Sequence, residues 1–185
     1  NNNIMNTNKY IFLLAMVLLF LMVGCGKLEF FPTDQLTNEK IQSSPELLNN
    51  VTVGTYSRLR GPQYVRLRHF MQELPGDELA WCKQSGDAIC NTYGYQHIVN
   101  SSASQQFWVQ AYQGIYSANK VIEAIDDKAS PNMLQIKGEN LFLRALMHFD
   151  LVRVFSRPYT QSPETNLGVM IRDNTDVTDL PARST

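Results

Sequence analysis

The chain has 185 residues, 44% of them hydrophobic, and its 16 Lys and Arg against 17 Asp and Glu leave a formal net charge of -1. That balance argues against a nucleic-acid binder, which would carry a basic stripe. Residues 25–185 suffice for one domain with a core of its own.

The N-terminus reads as an export signal. Lys9 precedes an apolar run over residues 11–23, shorter than the roughly 20 residues that a membrane-spanning helix needs. The run stops at Gly24-Cys25 and the chain turns polar. A basic residue, a short apolar stretch and a small residue at the break mark a secretory signal, read here from Met5. The pentapeptide Leu21-Met22-Val23-Gly24-Cys25 resembles the bacterial lipobox, in which a peptidase cleaves before a cysteine that becomes diacylated, although Met22 stands where leucine is commoner. The resemblance implies that residues 1–24 are a lipoprotein signal peptide and that Cys25 carries lipid. Acyl chains contribute about 0.8 kcal/mol per buried methylene, so several hold firmly where one does not. A plain secretory peptide or a short membrane anchor, with Cys25 incidental, is the alternative.

Residues 27–37, with Pro32 among them, read as an extended leader. The first helix is predicted to open at Ser44-Pro45-Glu46: serine caps, proline suits the first position, and glutamate meets the positive end of the dipole. Leu47, Leu48, Val51, Thr55 and Leu59 then share a face, and Gly61-Pro62 stops the helix near Arg60. Residues 61–101 lose the helical period and are rich in aromatics, glycine and turn formers. They are expected to form a long irregular excursion, a kind of loop that is functional or disordered, and the aromatic content argues against disorder. Cys82 and Cys90 flank Gly86 within it, and in an exported protein a loop-closing disulfide is open to them. A metal site adding His69 and His97 to these thiols matches no standard zinc spacing, so no metal is expected.

Two long helices follow. Ser102 with Gln105 fits a capping box, and Phe107, Ala111, Ile115, Ile122 and Ile125 make an apolar stripe, widened by Trp108 and Tyr112 and interrupted by Asn119. Ser130-Pro131 opens the second helix, which runs to about Phe155. It is apolar nearly all round from Leu141 to Phe155 and is expected to lie between other elements. Gly138 inside it costs about 1 kcal/mol against alanine, which close helix packing there would explain. Trp108 and Tyr112 on one helix, with Ala145 and Phe149 on the other, give the hairpin features of a tetratricopeptide unit. Such a unit cannot bury both faces alone and about three are needed for stability; the sequence offers one.

Taken in order, these segments resemble the SusD/RagB family, the nutrient-binding outer-membrane lipoproteins of Bacteroidetes. The resemblance runs from CGKLEFFPTDQLT through VGTYSRL, MQELPGDELAW, WVQAYQGIYSANKVIEAID and IKGENLFLRALMHFDLVRVFSRPY to NLGVMI and LPARST. IYSANKVIEAI and GENLFLRALMHFDLV are its specific part. The family usually has alanine at the position of Asn140, glycine at Ser156 and proline at Met170, departures expected to loosen a helix contact and two turns. Its members continue through further helical repeats, so the chain is expected to be the N-terminal portion of a larger protein or the product of an interrupted gene, residues 25–185 forming a SusD-like helical domain. The resemblance implies an all-α fold of tetratricopeptide-like hairpins with a long irregular excursion. It also implies a protein lipid-anchored at the surface of the outer membrane, which binds oligosaccharide or another nutrient and delivers it to a SusC-like TonB-dependent transporter. No catalysis and no cofactor are implied. The alternative from another class is a small lipid-anchored helical scaffold that only docks a protein partner.

Sugar recognition needs aromatic faces and a few polar groups. Trp81, Tyr93 and Tyr95 in the excursion are the ligand-binding candidates, with packing of the loop onto the helices as the competing role. Trp108 and Tyr112 lie on the stripe and are assigned to the core. Asn119 is expected to satisfy buried backbone groups. Arg144 and Asp150 are expected to make structural pairs; an acid–base role for them or for His148 lacks a nucleophile, a metal or a pocket motif. Glu73, Asp77 and Glu78 lack the dense acidic pattern of a calcium loop and read as a solvated face.

Overall fold

The computed structural model describes residues 44–183 apart from 77, 81–87, 97 and 99, all within the second of two units, Thr37–Thr185. Among the described residues lie helices α1 (Pro45–Arg60), α2 (Val65–Glu73), α3 (Ala88–Tyr93), α4 (Ser102–Ala124) and α5 (Pro131–Phe155). A C-terminal segment without helix follows, marked by an isolated antiparallel bridge between Met170 and Arg183. The mainly helical class expected from the sequence is the class found.

The ends of α1 fall where its punctuation places them. Pro45 occupies the first turn, where its missing N–H costs nothing, and the Gly61 N–H donates to Arg58 O at 3.0 Å beyond the other end. Ser44 holds the N-cap position in extended backbone, but its side chain makes no capping bond. The buried line is Leu48, Thr52 and Thr55. Both threonines return their hydroxyls to helix carbonyls, Leu48 O at 2.9 Å and Val51 O at 3.1 Å, which lets polar residues sit on a packed face.

Residues 61–101 are less irregular than expected, because α2 and α3 form inside them. Tyr64, Leu67, Met71 and Leu74 recur at intervals of three and four, the period of a helix face; Arg66 and Arg68 between them mask it. Helices of nine and six residues do not hold in isolation. Burial of Tyr64 and Leu67 against the longer helices is what makes α2.

α4 and α5 form an antiparallel hairpin. The cap of α4 is Ser101, one residue earlier than expected: its hydroxyl accepts from the Ser104 N–H at 3.5 Å, so the Ser102–Gln105 box does not form. Phe107, Ala111 and Ile115 pack against Leu143, Met147 and Leu151, each large side chain contributing about 1.5–3 kcal/mol by its burial. Trp108 lies between Tyr112 at 4.8 Å and Phe155 at 4.9 Å, the core role assigned to it. At the other end Leu48 of α1 meets Val121 and Ile125. Lys137 Nζ donates to Ile125 O at 2.7 Å and to Asp127 at 2.5 Å, placing a cation at the C-terminal end of α4.

α5 departs from expectation in three ways. It does not lie between other described elements: Asn140, Leu143, Met147, Asp150 and Leu151 are buried on one face, while Phe142 and Phe149 are 63% and 57% exposed. Ala145, paired with Phe149 in the repeat-like step, shares that open face. Asn140 does not loosen the packing either. Its Nδ2 donates to Thr52 Oγ1 and Ile136 O, both at 2.8 Å, tying α5 to α1. Third, a Cβ added at Gly138 meets nothing within 4 Å, so no close approach explains this glycine; the tight contact is at Gly114, where a Cβ would lie 2.4 Å from Met147 Sδ. Gly138→Ala therefore raises stability by about 1 kcal/mol, whereas Gly114→Ala lowers it by about 1–3 kcal/mol. Urea unfolding of the full chain measures both, and equal responses at the two positions would contradict the placement.

Candidate ligand-binding surfaces

A buried polar cluster locks α2 to α5. Asp150, 2% exposed, accepts from Tyr64 Oη at 2.8 Å, Gln72 Nε2 at 3.3 Å and Arg68 Nη1 at 3.4 Å. Arg153 Nη1 donates to Gln72 Oε1 at 2.9 Å. Burial, reinforced by the Asp150 carboxylate, pushes the Tyr64 hydroxyl far above its ordinary range, so it remains a neutral donor. Asp150 thus has the structural partner expected of it, supplied by Arg68; Arg144 is engaged elsewhere.

The excursion that α2 introduces carries the predicted ligand contacts. Trp81 lies outside the described residues, as do Cys25, Asp77, Cys82 and His97. Cys90 is half-buried on α3, and Tyr93 closes that helix half-buried. Tyr95 is 68% exposed on left-handed backbone with φ of 56°, and its hydroxyl donates to Pro75 O. A non-glycine residue in that region is held by its surroundings, and such positions cluster at functional sites. Here the tether steadies an aromatic ring that stays largely in water. Glu73, Glu78 and His69 are exposed. Among the described residues no group of three or more His, Cys, Asp or Glu could hold a metal ion.

A second concavity forms at the C-terminal end of α5, away from Tyr93 and Tyr95 in sequence. Phe149, Val152 and Arg153 of α5, with Pro158, Tyr159 and Leu167 of the following loop, line a groove of about 640 Å³. That volume falls in the range of small-molecule sites. The Arg153 guanidinium lies 5.8 Å from the Phe149 ring centre, and Arg157 and Asn166 add polar groups. Aromatic walls beside guanidinium and amide groups suit a sugar ring. Phe149 and Tyr159 were legible only as large aromatics, and nothing local says that a loop folds one beside the other.

Between these regions, residues 169–175 cross α4 and α5 as a strap whose backbone is satisfied by helix side chains. Tyr112 Oη donates to Met170 O at 2.8 Å, and Asn119 Nδ2 to Arg172 O at 3.1 Å and Asn174 O at 3.0 Å. Arg144 Nη1 reaches Asp173 O and Asn119 Oδ1, each at 3.0 Å. His148 Nε2 accepts the Arg172 N–H at 3.1 Å, and Glu123 accepts the Thr175 N–H at 2.7 Å. Asn119 therefore serves backbone groups as expected, although those groups belong to the strap. Burial pushes the Tyr112 hydroxyl up to about 12, which keeps it a donor, and burial holds the His148 imidazole below its ordinary value. No described helix is long and apolar enough to cross a membrane.

Comparison with known proteins places this geometry. A SusD-like family described as "Starch-binding associating with outer membrane" matches residues 28–185. A SusD superfamily protein from Bacteroides vulgatus is similar in structure, with a TM-score of 0.66 and 24% identity over 74% of this chain and 32% of its own. Another, from Bacteroides thetaiotaomicron, has a TM-score of 0.67 and 25% identity over 75% of this chain and 32% of its own. The present chain thus spans 32% of the length of each of these two structures. No curated protein gives a significant match.

Proposed function

Because this chain belongs to the SusD-like family, we propose that it is a cell-surface glycan-binding lipoprotein that delivers oligosaccharide to a SusC-like TonB-dependent transporter. The observation that carries this reading is the match of residues 28–185 to a family described as starch-binding and associated with the outer membrane. In this reading residues 1–24 are removed, lipid on Cys25 holds the chain at the outer membrane, and residues 25–185 are the helical domain. Tyr95, with Trp81 and Tyr93, stacks on sugar rings, and backbone and side-chain polar groups fix their orientation. The protein holds its ligand and passes it on, and no catalytic step is assigned to it.

Tyr95→Ala is expected to weaken glycan binding by about two- to tenfold, the equivalent of one stacked ring at about 0.5–1.5 kcal/mol. Retardation in native gels containing polysaccharide reads this directly, and an unchanged mobility shift would remove Tyr95 from the site. Cys25→Ala is expected to move the protein out of the membrane fraction, since firm anchoring takes more than one acyl chain. The scaffold reading draws on a different observation, the open apolar face with Phe142 and Phe149. It predicts a protein indifferent to every polysaccharide that still retains a protein partner in the membrane.

A further inference from the structure

One of the side chains that hold the strap over residues 169–175 is an imidazole, whose hydrogen-bonding character changes when it takes up a proton. His148 Nδ1 faces Arg144 O at 2.9 Å, and its Nε2 faces the Arg172 N–H at 3.1 Å. A carbonyl on one side and an N–H on the other fix the neutral tautomer with the proton on Nδ1. Protonation adds a hydrogen to Nε2, so two donors oppose each other and the Arg172 N–H loses its acceptor. The charged groups acting on the ring are Arg144 on its own helix, which opposes a second cation, and Asp173 on the strap, which favours one; the Arg172 guanidinium is turned to Asp176 O. From α4 the Tyr112 ring approaches edge-on at 6.3 Å, and it remains neutral.

We propose that His148 is an acid-released latch: acidification breaks the bond between its ring and the Arg172 N–H and loosens the strap locally at Arg172, above the face of α4 formed by Tyr112, Ile115 and Asn119. That face and the strap already line a small, half-open cavity of about 240 Å³, so the strap has space beside it. Asn119, Arg144 and Glu123 keep their own ties to the strap, which makes the release a local opening with the α4–α5 hairpin intact. The sign follows from the proton affinities. Burial depresses the ring in the closed strap below its ordinary 6.5, while in the open strap water restores it. Closure is therefore favoured above pH 6.5 and weakens as pH falls toward the closed-state value.

Hydrogen exchange at the Arg172 amide, in the full chain held in detergent and corrected for the intrinsic pH dependence, tests this. The opening constant is expected to rise by up to tenfold per pH unit below 6.5, while Ile115 in the core stays flat. His148→Gln, which keeps an acceptor and cannot titrate, is expected to abolish the rise. A flat wild-type profile, or an equal rise in the variant, overturns the proposal. Should the variant not fold, the wild-type imidazole and Arg172 amide chemical shifts decide. Titration of both with one midpoint supports the latch, and a ring that titrates while the amide does not respond overturns it.

Discussion

Asp150→Ala is expected to lower the stability of the full chain by about 2–4 kcal/mol, read from the urea midpoint. The carboxylate is 2% exposed and holds three donors from α2 and its approach. Its removal leaves the Tyr64 hydroxyl, on a residue 2% exposed, without an acceptor, and leaves Arg68 without its ion pair. Arg68 is 27% exposed and can turn to water, which keeps the expected loss below that of a fully sealed pair. Asp150→Asn should recover part of it, because an amide oxygen still accepts from Tyr64. A loss under about 1 kcal/mol, the size of an exposed pair, would mean that the cluster does not lock α2.

Asn119→Ala is expected to cost about 2–3 kcal/mol and to detach the strap. The side chain is fully buried and joins three groups: Arg172 O, Asn174 O and the Arg144 guanidinium. Alanine leaves two carbonyls without this donor and Arg144 without this acceptor. The strap can swing toward solvent to rehydrate them, so the signature is local. Tryptic cleavage after Arg172 should accelerate by more than the change in global stability accounts for. Asn119→Asp should fail as well, since a carboxylate facing two carbonyls repels both. Cleavage that tracks global stability alone would place the control of the strap elsewhere.

Punctuation made the long helices readable. Pro45, Gly61 and Pro131 act through their own backbones, so α1 and the start of α5 follow from residues adjacent in sequence. α2 was hidden because a short helix forms only when Tyr64 and Leu67 find a core, and that core comes from residues far along the chain. The cost of a glycine inside a helix could be read, but which glycine is pressed against Met147 is a tertiary fact that falls on Gly114. The same holds for function. Asn119 declared itself as a polar residue on an apolar stripe, yet its partners lie 53 and 55 residues away. Tyr95 could be picked as an aromatic in a turn-rich segment, while its positive φ could not. The groove beside Phe149 needs Tyr159 and Leu167 folded back onto α5, and no local pattern encodes that fold-back.

The most direct measurement is calorimetric titration of the intact acylated protein, extracted from the membrane of its source, with starch-derived and other oligosaccharides. Saturable heat with at least one glycan, reduced in Tyr95→Ala, is the predicted result. A folded protein that gives no heat with any glycan, yet keeps a protein partner through purification, would contradict glycan capture and leave the helical scaffold as its function.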